Sequence, residues 1–200
     1  MTAPTTASRT SRSFPNPIRA DPPIRIAANI PDTFPAIGRH GAPIFASVRH
    51  TSWTALGQQI QSYHEAWEAA GHPGSGQFFV LAPTYIAETD ERARTEPRDS
   101  IMHFYQKQAN LLEGAAKLET AVRRMRRVEQ LRSIDYNDAL HTNALIGSPD
   151  TIAEKLGSLQ AEFGLSGILA ALNCGGLIPH DRVLTALRLL CEAVKHRFAG

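Results

Sequence analysis

Segments with the composition of buried strands alternate along this chain with segments that have the apolar spacing of helices. Four strand candidates are short, partly β-branched runs at residues 23–29, 42–48, 77–87 and 165–173. Such alternation predicts parallel strands that are joined by right-handed crossovers. The predicted fold class is therefore α/β, either an open doubly wound sheet or a barrel, and four strands alone do not decide between these two.

The helix candidates between the strands have caps that can be recognised in the sequence. The clearest one starts after Ser52, repeats apolar side chains at spacings of three and four, and ends at Gly71. Pro97 is predicted to interrupt or kink the helix that begins after Thr89. The remaining helices are predicted at 31–40, at 99–136, from Ser148 to Gly164, and at 178–198.

Apolar residues at helical spacing predict which side chains face the core. These residues are Phe34, Ile37, Trp53, Leu56, Ile60, Tyr63, Trp67, Ala70, Leu118, Val122, Met125, Val128, Leu131, Ile152, Leu156, Leu159, Phe163, Leu184, Leu187, Cys191, Val194 and Phe198. Each predicted helix therefore has one apolar face, as expected for helices that cover a sheet.

The composition is that of a folded domain. Of 200 residues, 42% are hydrophobic and 20% are charged, which excludes a wholly disordered chain. No apolar run approaches the roughly 20 residues of a membrane span, so we expect a cytoplasmic protein without a membrane partner. We predict a disordered arm at 1–13, rich in Thr, Ser, Pro and Arg, and one domain at 14–200, although the length also allows two small domains.

No nucleic-acid partner is expected from the charge pattern. The formal net charge is only +2, so such a partner would need a local basic patch. The candidate patch is RRMRR at 123–127, whose arginines avoid the apolar face of the predicted helix and have glutamates nearby. We interpret this run as a solvated helix face.

The usual sequence signs of catalysis by side chains or metals are missing. The eight histidines are scattered without the spacing of metal ligands, so no metal site is predicted. Ser47 follows a strand but lacks a GxSxG turn. Cys174 and Cys191 have no CxxC unit and are interpreted as free thiols in a reducing cytosol. The catalytic residues stay unknown at this point.

The tripeptide Pro-Asp-Thr occurs twice, each time at a predicted helix start. Ser148 precedes one copy and supplies a cap oxygen, whereas Ile30 precedes the other and cannot. A bound phosphate could replace the missing oxygen at the second site, although the charge of Asp32 would oppose it. The alternatives are a helix start that is solvated by water or one that is capped by the side chain of Asn29.

A second candidate loop is NCGGL at 173–177, which follows the last predicted strand. Its two glycines permit positive φ and a close approach of the backbone to a ligand. A tight turn explains the pair equally well.

Five segments together resemble the luciferase-like flavin-dependent monooxygenases. They are, in order, FPNPIRADPPIRIAANIPDTFPAIGRHGAPIF, ALGQQIQSYHEAWEAAGH, YIAETDERAR, GSPDTIAEKLGSLQAEFG and GGLIPHDRVLTALRLLCEAV. They extend over nearly everything from Phe14 to the C-terminus. The family fold is a TIM barrel, and a chain with about four βα units corresponds by resemblance to the C-terminal half of such a barrel.

The resemblance also implies a cofactor site. Ala28, Asn29, Ile30 and Thr33 correspond to a turn that contacts the FMN phosphate in the family. The implied chemistry is the activation of molecular oxygen by reduced flavin for attack on a small organic substrate, or hydride transfer with a deazaflavin coenzyme. Three possibilities follow: a homodimer that completes the barrel, a complementing N-terminal half chain, or a nonfunctional truncated product. A non-catalytic half-barrel that binds flavin phosphate or a partner subunit is the alternative.

Overall fold

The computed structural model describes residues 23–114 and 121–198, including all side chains except those of residues 50 and 121–124. The predicted arm at 1–13, the beginning of the predicted domain at residue 14, and Leu118 lie outside these residues. The side chain of Val122 does too.

The described residues form a parallel sheet of five strands. The strands are β1 Ile26–Ala27, β2 Ile44–Ser47, β3 Phe78–Ile86, β4 Leu145–Gly147 and β5 Leu165–Ala171. Every pair is parallel, which confirms the predicted α/β class. β4 was not predicted, because three residues directly before a helix cap are too short for a periodicity to show.

The central strand is β3, which pairs with three others. Its first half lies between β2 and β5, and its last three residues, Thr84–Ile86, pair with β4. Among the described residues β1 pairs with β2 alone and β5 with β3 alone. The sheet that these residues form is not closed, so this part of the chain has the form of a partial barrel with two free edges.

Within the described ranges, eight α-helices connect and cover the strands. They are α1 Thr33–His40, α2 Trp53–Ala69, α3 Asp90–Thr95, α4 Arg98–Gly114, α5 Ala121–Ser133, α6 Tyr136–Thr142, α7 Pro149–Phe163 and α8 His180–Leu189. A π-helical turn, Leu190–Val194, and a 3₁₀ turn, Lys195–Phe198, continue α8, and a further 3₁₀ turn lies at Val48–His50.

Side-chain caps explain where several helices begin. The hydroxyls of Ser52, Thr89 and Ser148 accept hydrogen bonds from backbone N–H groups three residues ahead, as predicted. Asp135 does the same for α6. The single helix predicted over 99–136 is therefore wrong at its end, because this cap starts a new helix.

One face of the sheet is covered by α1, α2 and α7. Ile44, Phe78 and Leu165 are in register on this face, and all three are buried together with Ile60 and Tyr63 of α2. A second apolar cluster joins the end of β3 to α3, α4, α5, α6 and α8. The predicted core residues of α1, α2 and α7 belong to the first cluster, except for Ala70, which is exposed.

On two helices, some of the residues predicted to face the core are exposed. Met125 is 46% exposed although Val128 and Leu131 of the same helix are buried. Along α8 and the turns after it, only Val194 of the predicted stripe is buried, while Leu184, Leu187, Cys191 and Phe198 are exposed. The five apolar residues do lie along one stripe, but the described part of the chain buries only one of them.

The described residues leave the opposite face of the sheet largely uncovered. Phe45, Phe79 and Leu81 are half-buried there and Leu169 is exposed. The guanidinium of Arg25 lies 3.9 Å from the centre of the Phe79 ring, where cation–π attraction holds it. In a closed barrel this face would point inward.

Candidate functional site

The carboxyl ends of the parallel strands lie at one rim of the sheet. The turns that follow β1, β2 and β5 are residues 28–33, 47–51 and 172–178. Ligands of parallel α/β folds bind at this rim, where loops lead into helix N-termini. These three turns are therefore the candidate positions for a ligand.

The turn after β1 presents exposed backbone at this rim. Ala28 is buried, and its N–H donates to the carbonyl of Phe45 at 2.8 Å, which is the last hydrogen bond between β1 and β2. Asn29 and Ile30 then turn outward, and Ile30 is 54% exposed. The four predicted contact residues, including Thr33, are therefore contiguous around one bend.

The hydrogen bonds at the start of α1 differ from those expected. The sequence predicted an uncapped helix start after Ile30. The N-cap of α1 is Asp32, which makes no side-chain cap, and not Ile30. The N–H groups of Thr33 and Phe34 donate to the carbonyls of Ile30 and Pro31, and Pro35 has no N–H. The first turn of α1 is thus satisfied by its own backbone, so serine in place of Ile30 would gain no cap there.

Three main-chain donors remain at the bend. The N–H groups of Asn29, Ile30 and Asp32 have no acceptor among the described residues. The Thr33 hydroxyl donates to the Ile30 carbonyl at 2.6 Å, so its proton is not free to bind a ligand. An anion here would be held by backbone N–H groups and by the amide of Asn29, against the carboxylate of Asp32.

The turn after β2 holds a cation at the same rim. Ser47 Oγ accepts hydrogen bonds from the backbone N–H and Nε of Arg49, at 3.2 and 3.3 Å. The guanidinium lies 5.8 Å from the ring centre of Phe104. Asn143 fixes the turn from behind by donating to the carbonyls of Val48 and Thr51. Sequence reasoning missed Arg49, although its place directly after a strand was a usable signal.

The turn after β5 is packed against α4, so its backbone is not open to a ligand on that side. Ser100 Oγ donates to the Cys174 carbonyl at 2.5 Å and accepts from Leu177 N–H at 3.0 Å. His103 Nδ1 contacts the Gly175 carbonyl at 3.0 Å. Gly175 has φ of 92°, and a Cβ there would overlap the carbonyl oxygen of Ser100. The glycine therefore serves the close approach of loop and helix.

Two titratable side chains are buried beside this loop. Burial raises the pKa of the Cys174 thiol to about 11, although the nearby charge of Arg49 works in the opposite direction. Burial also raises the pKa of Tyr105, whose hydroxyl has no hydrogen-bond partner among the residues that the structure describes. Both groups are neutral at physiological pH. Cys174 and Cys191 are free cysteines, as predicted.

The second Pro-Asp-Thr turn is closed by protein groups. Ser148 caps α7 as predicted, and the carboxylate of Asp90 accepts from Ser148 N–H at 2.7 Å and from the Thr151 hydroxyl at 3.0 Å. These hydrogen bonds lower the pKa of Asp90. A carboxylate from α3 thus occupies the anion position that a ligand would take at this helix start.

The other candidates are structural or remain predictions. His64 joins α2 to the carbonyls of Ser75 and Phe163, at 2.5 and 3.3 Å. Of the RRMRR run, the first two side chains are not described and Arg126 is exposed. No helix of the described residues is long and apolar enough to cross a membrane.

Comparison with known proteins decides the family. A model of the family described as luciferase-like monooxygenase matches residues 3–166, which include the turns after β1 and β2. The chain belongs to this family. The resemblance inferred from the five sequence segments is thereby confirmed.

Solved structures of two monooxygenases have the same fold. Monooxygenase RslO1 from Streptomyces bottropensis matches with a TM-score of 0.60 at 20% identity, over 89% of this chain and 49% of its own. The oxygenating constituent of 3,6-diketocamphane monooxygenase from the CAM plasmid of Pseudomonas putida, solved in complex with FMN, matches with a TM-score of 0.65 at 19% identity, over 86% and 48%.

A third neighbour is the coenzyme F420-dependent tetrahydromethanopterin reductase from Methanopyrus kandleri. It has a TM-score of 0.59 at 13% identity, over 88% of this chain and 51% of that one. The chain thus spans about half the length of the structures it matches. A comparison with curated protein sequences found no match.

Proposed function

We propose that the chain provides the cofactor-phosphate half of a luciferase-like flavin-dependent oxidoreductase, in which reduced FMN and molecular oxygen act on a small organic substrate. Family membership supports the reaction class. The solved neighbours include one in complex with FMN and one that depends on coenzyme F420, so a deazaflavin is the competing cofactor.

The observation that carries this proposal is the bend after β1. The N–H groups of Asn29, Ile30 and Asp32 have no acceptor within the described part of the chain and lie at the rim where ligands of parallel α/β folds bind. Main-chain donors at a helix start suit a phosphate. By contrast, the equivalent position at Ser148 is filled by Asp90. Of the two Pro-Asp-Thr turns, therefore, the first is the one left for a ligand.

The residues of the bend fit a phosphate but impose a limit on its affinity. The donors are backbone groups, which a change of side chain does not remove, and the carboxylate of Asp32 repels a second negative charge close by. Arg49, after the neighbouring strand, supplies a positive charge at the same rim. We propose that Arg49 offsets part of this repulsion and favours an anionic form of the cofactor.

The flavin would supply the oxygen or hydride chemistry, and the protein would bind and orient it. This agrees with a rim that has no Ser-His-Asp set among the described residues. The half-buried side chains of Phe45, Phe79 and Leu81 offer an apolar wall along the uncovered face of the sheet. We propose that this wall excludes water from one side of the ring system.

Turnover requires a closed barrel in this proposal, because the uncovered face gives substrate no enclosed pocket. The missing strands would come from a second copy of the chain or from a complementing N-terminal half chain. The open sheet also favours a second candidate function, a non-catalytic half-barrel that binds flavin phosphate without turnover. The two candidates differ in whether bound reduced flavin is reoxidised faster than free flavin.

The test is a titration of the purified chain with FMN, followed by flavin fluorescence. Ile30→Asp should weaken binding about tenfold, since it adds a charge beside the phosphate worth roughly 1.4 kcal/mol or more. Asp32→Asn should strengthen binding several-fold. Leu111→Asp, at a position of similar exposure on α4, is the control and should leave affinity unchanged.

Circular dichroism must show that all variants are folded. Equal FMN affinity in wild type and Ile30→Asp contradicts the phosphate site. Coenzyme F420 in the same titration distinguishes the cofactors. Oxygen-dependent reoxidation of bound reduced FMN at the rate of free flavin would favour the non-catalytic candidate.

A further inference from the structure

We infer that two copies of this chain close into one barrel of eight parallel strands, related by a twofold axis that runs along the barrel. The partner is thus a second copy of the chain and not a separate N-terminal half chain. This pairing is inferred from the strands and their edges and not from flavin binding.

The number and direction of the strands match half of a TIM barrel. Without β4, which pairs only with the last three residues of β3, the sheet has four parallel strands in the order β1-β2-β3-β5. A TIM barrel has eight parallel strands. A twofold axis along the barrel keeps all strands parallel and places β5 of each copy beside β1 of the other.

The edge at β1 presents apolar side chains. Ile26 is in register with Ile44 and so lies on the helix side of the sheet, where it is 39% exposed. Ile24, two residues earlier, is 68% exposed, and an extension of β1 would place it on the same side. An edge strand with unpaired backbone and exposed isoleucines favours pairing with another strand.

The edge at β5 has a complementary groove. It holds about 500 Å³ and lies on the helix side of the sheet, between α7, β5 and the end of the chain. Its apolar lining includes Leu165, Ile168, Leu190, Val194 and Phe198. A parallel strand added at this edge would direct its helix-side residues into the groove, and the partner's β1 offers two isoleucines there.

The uncovered face of the sheet supports the same closure. Phe45 is in register with Phe79, and Leu81 with Leu169, so these four side chains form an apolar row two residues deep across β2, β3 and β5. In the twofold barrel this row would face its counterpart and form the interior. The two junctions are identical, so no edge remains and the assembly stops at two copies.

Sedimentation velocity of the full chain at micromolar concentration tests the inference. We expect one species of twice the 21.9 kDa chain mass. Ile26→Lys places a charge in the groove and should raise the dimer dissociation constant at least tenfold. Leu111→Lys, which changes an exposed leucine on α4, should leave the mass unchanged. A folded monomer, or a ladder of larger oligomers, in the wild type would overturn the inference.

Cross-linking tests the predicted junction directly. Cys191 lines the groove and is exposed, whereas Cys174 is buried. Ile26→Cys with native Cys191 should give a covalent dimer with a short bismaleimide reagent. Ser75→Cys, in an exposed turn, should give none, and neither should the wild type. Cross-linking that is equal in the two variants contradicts the junction. Neither measurement reads flavin, so the inference and the proposed function can fail separately.

Discussion

At the scale of single residues, Asp90 has the most consequential set of contacts. Its carboxylate belongs to α3 but accepts hydrogen bonds from the backbone of Ser148 and the hydroxyl of Thr151 at the start of α7. It therefore joins two helices that are far apart in sequence. Its hydrogen bonds involve a charged acceptor, which makes them stronger than neutral ones.

Asp90→Ala should lower the free energy of unfolding by about 1–3 kcal/mol, because it leaves the Ser148 N–H without its charged acceptor. Asp150→Ala is the matched control, since Asp150 also lies in a first helical turn but is 84% exposed in its pair with Arg197. That change should cost no more than about 1 kcal/mol. Urea denaturation at neutral pH measures both, and equal losses would contradict the role of Asp90.

The same residue predicts a pH dependence. Because the pKa of Asp90 is lower in the folded than in the unfolded protein, its contribution is complete above the unfolded value, about 3.9. It is lost as the pH falls from there through the folded pKa. The difference in stability between wild type and Asp90→Asn should therefore shrink below about pH 4. Thermal unfolding between pH 6 and 3.5 measures it, and a constant difference would be contrary to expectation.

At the scale of elements, the loop after β5 depends on one glycine of its pair. Both Gly175 and Gly176 have positive φ, but only Gly175 lies against the Ser100 carbonyl, while Gly176 faces open space. Gly176→Ala should cost roughly 1–2 kcal/mol from the left-handed conformation alone. Gly175→Ala should cost clearly more, because the loop must also move off α4. Differential scanning calorimetry compares the two, and equal melting temperatures would show that the packing is loose.

Helix starts were predictable from sequence where a hydroxyl caps them. Ser52, Thr89 and Ser148 each provide a local hydrogen bond that a short stretch of sequence specifies. The start of α1 was placed two residues early, because the turn at Ile30 satisfies the first N–H groups with its own carbonyls. β4 could not be predicted, since its three residues are defined by pairing with β3 and not by a pattern of their own.

The candidate site was only partly predictable. The bend after β1 was expected at the ligand-binding rim because a strand and a Pro-Asp-Thr turn are both local features. Arg49 was missed: its place directly after a predicted strand was a usable signal, but the turn that holds it is fixed by Asn143, which is remote in sequence. The role of Asp90 at Ser148 was missed for the same reason. Long-range side-chain contacts are set by packing and leave no periodic signal.

At the scale of the whole molecule, the backbone amides of the five strands should differ in their protection from hydrogen exchange. β3 has neighbours on both sides, whereas β1 and β5 each have a free edge among the described residues. In hydrogen exchange followed by mass spectrometry, amides of β3 should exchange most slowly and those of β1 fastest. If the two-copy barrel forms, β1 and β5 should gain protection as the concentration rises. Equal protection of all strands at every concentration would contradict this arrangement.

The parallel pairing of β3 with β5 also has a consequence for synthesis of the chain. Phe78 is opposite Leu165. β3 therefore leaves the ribosome long before β5, its partner on one side, has been synthesised. At roughly 5–20 residues per second, that side stays unpaired for several seconds, with Phe79 and Leu81 beside it. Closing so long a loop is slow in its own right, so this edge of β3 stays open to pairing with other chains during the interval.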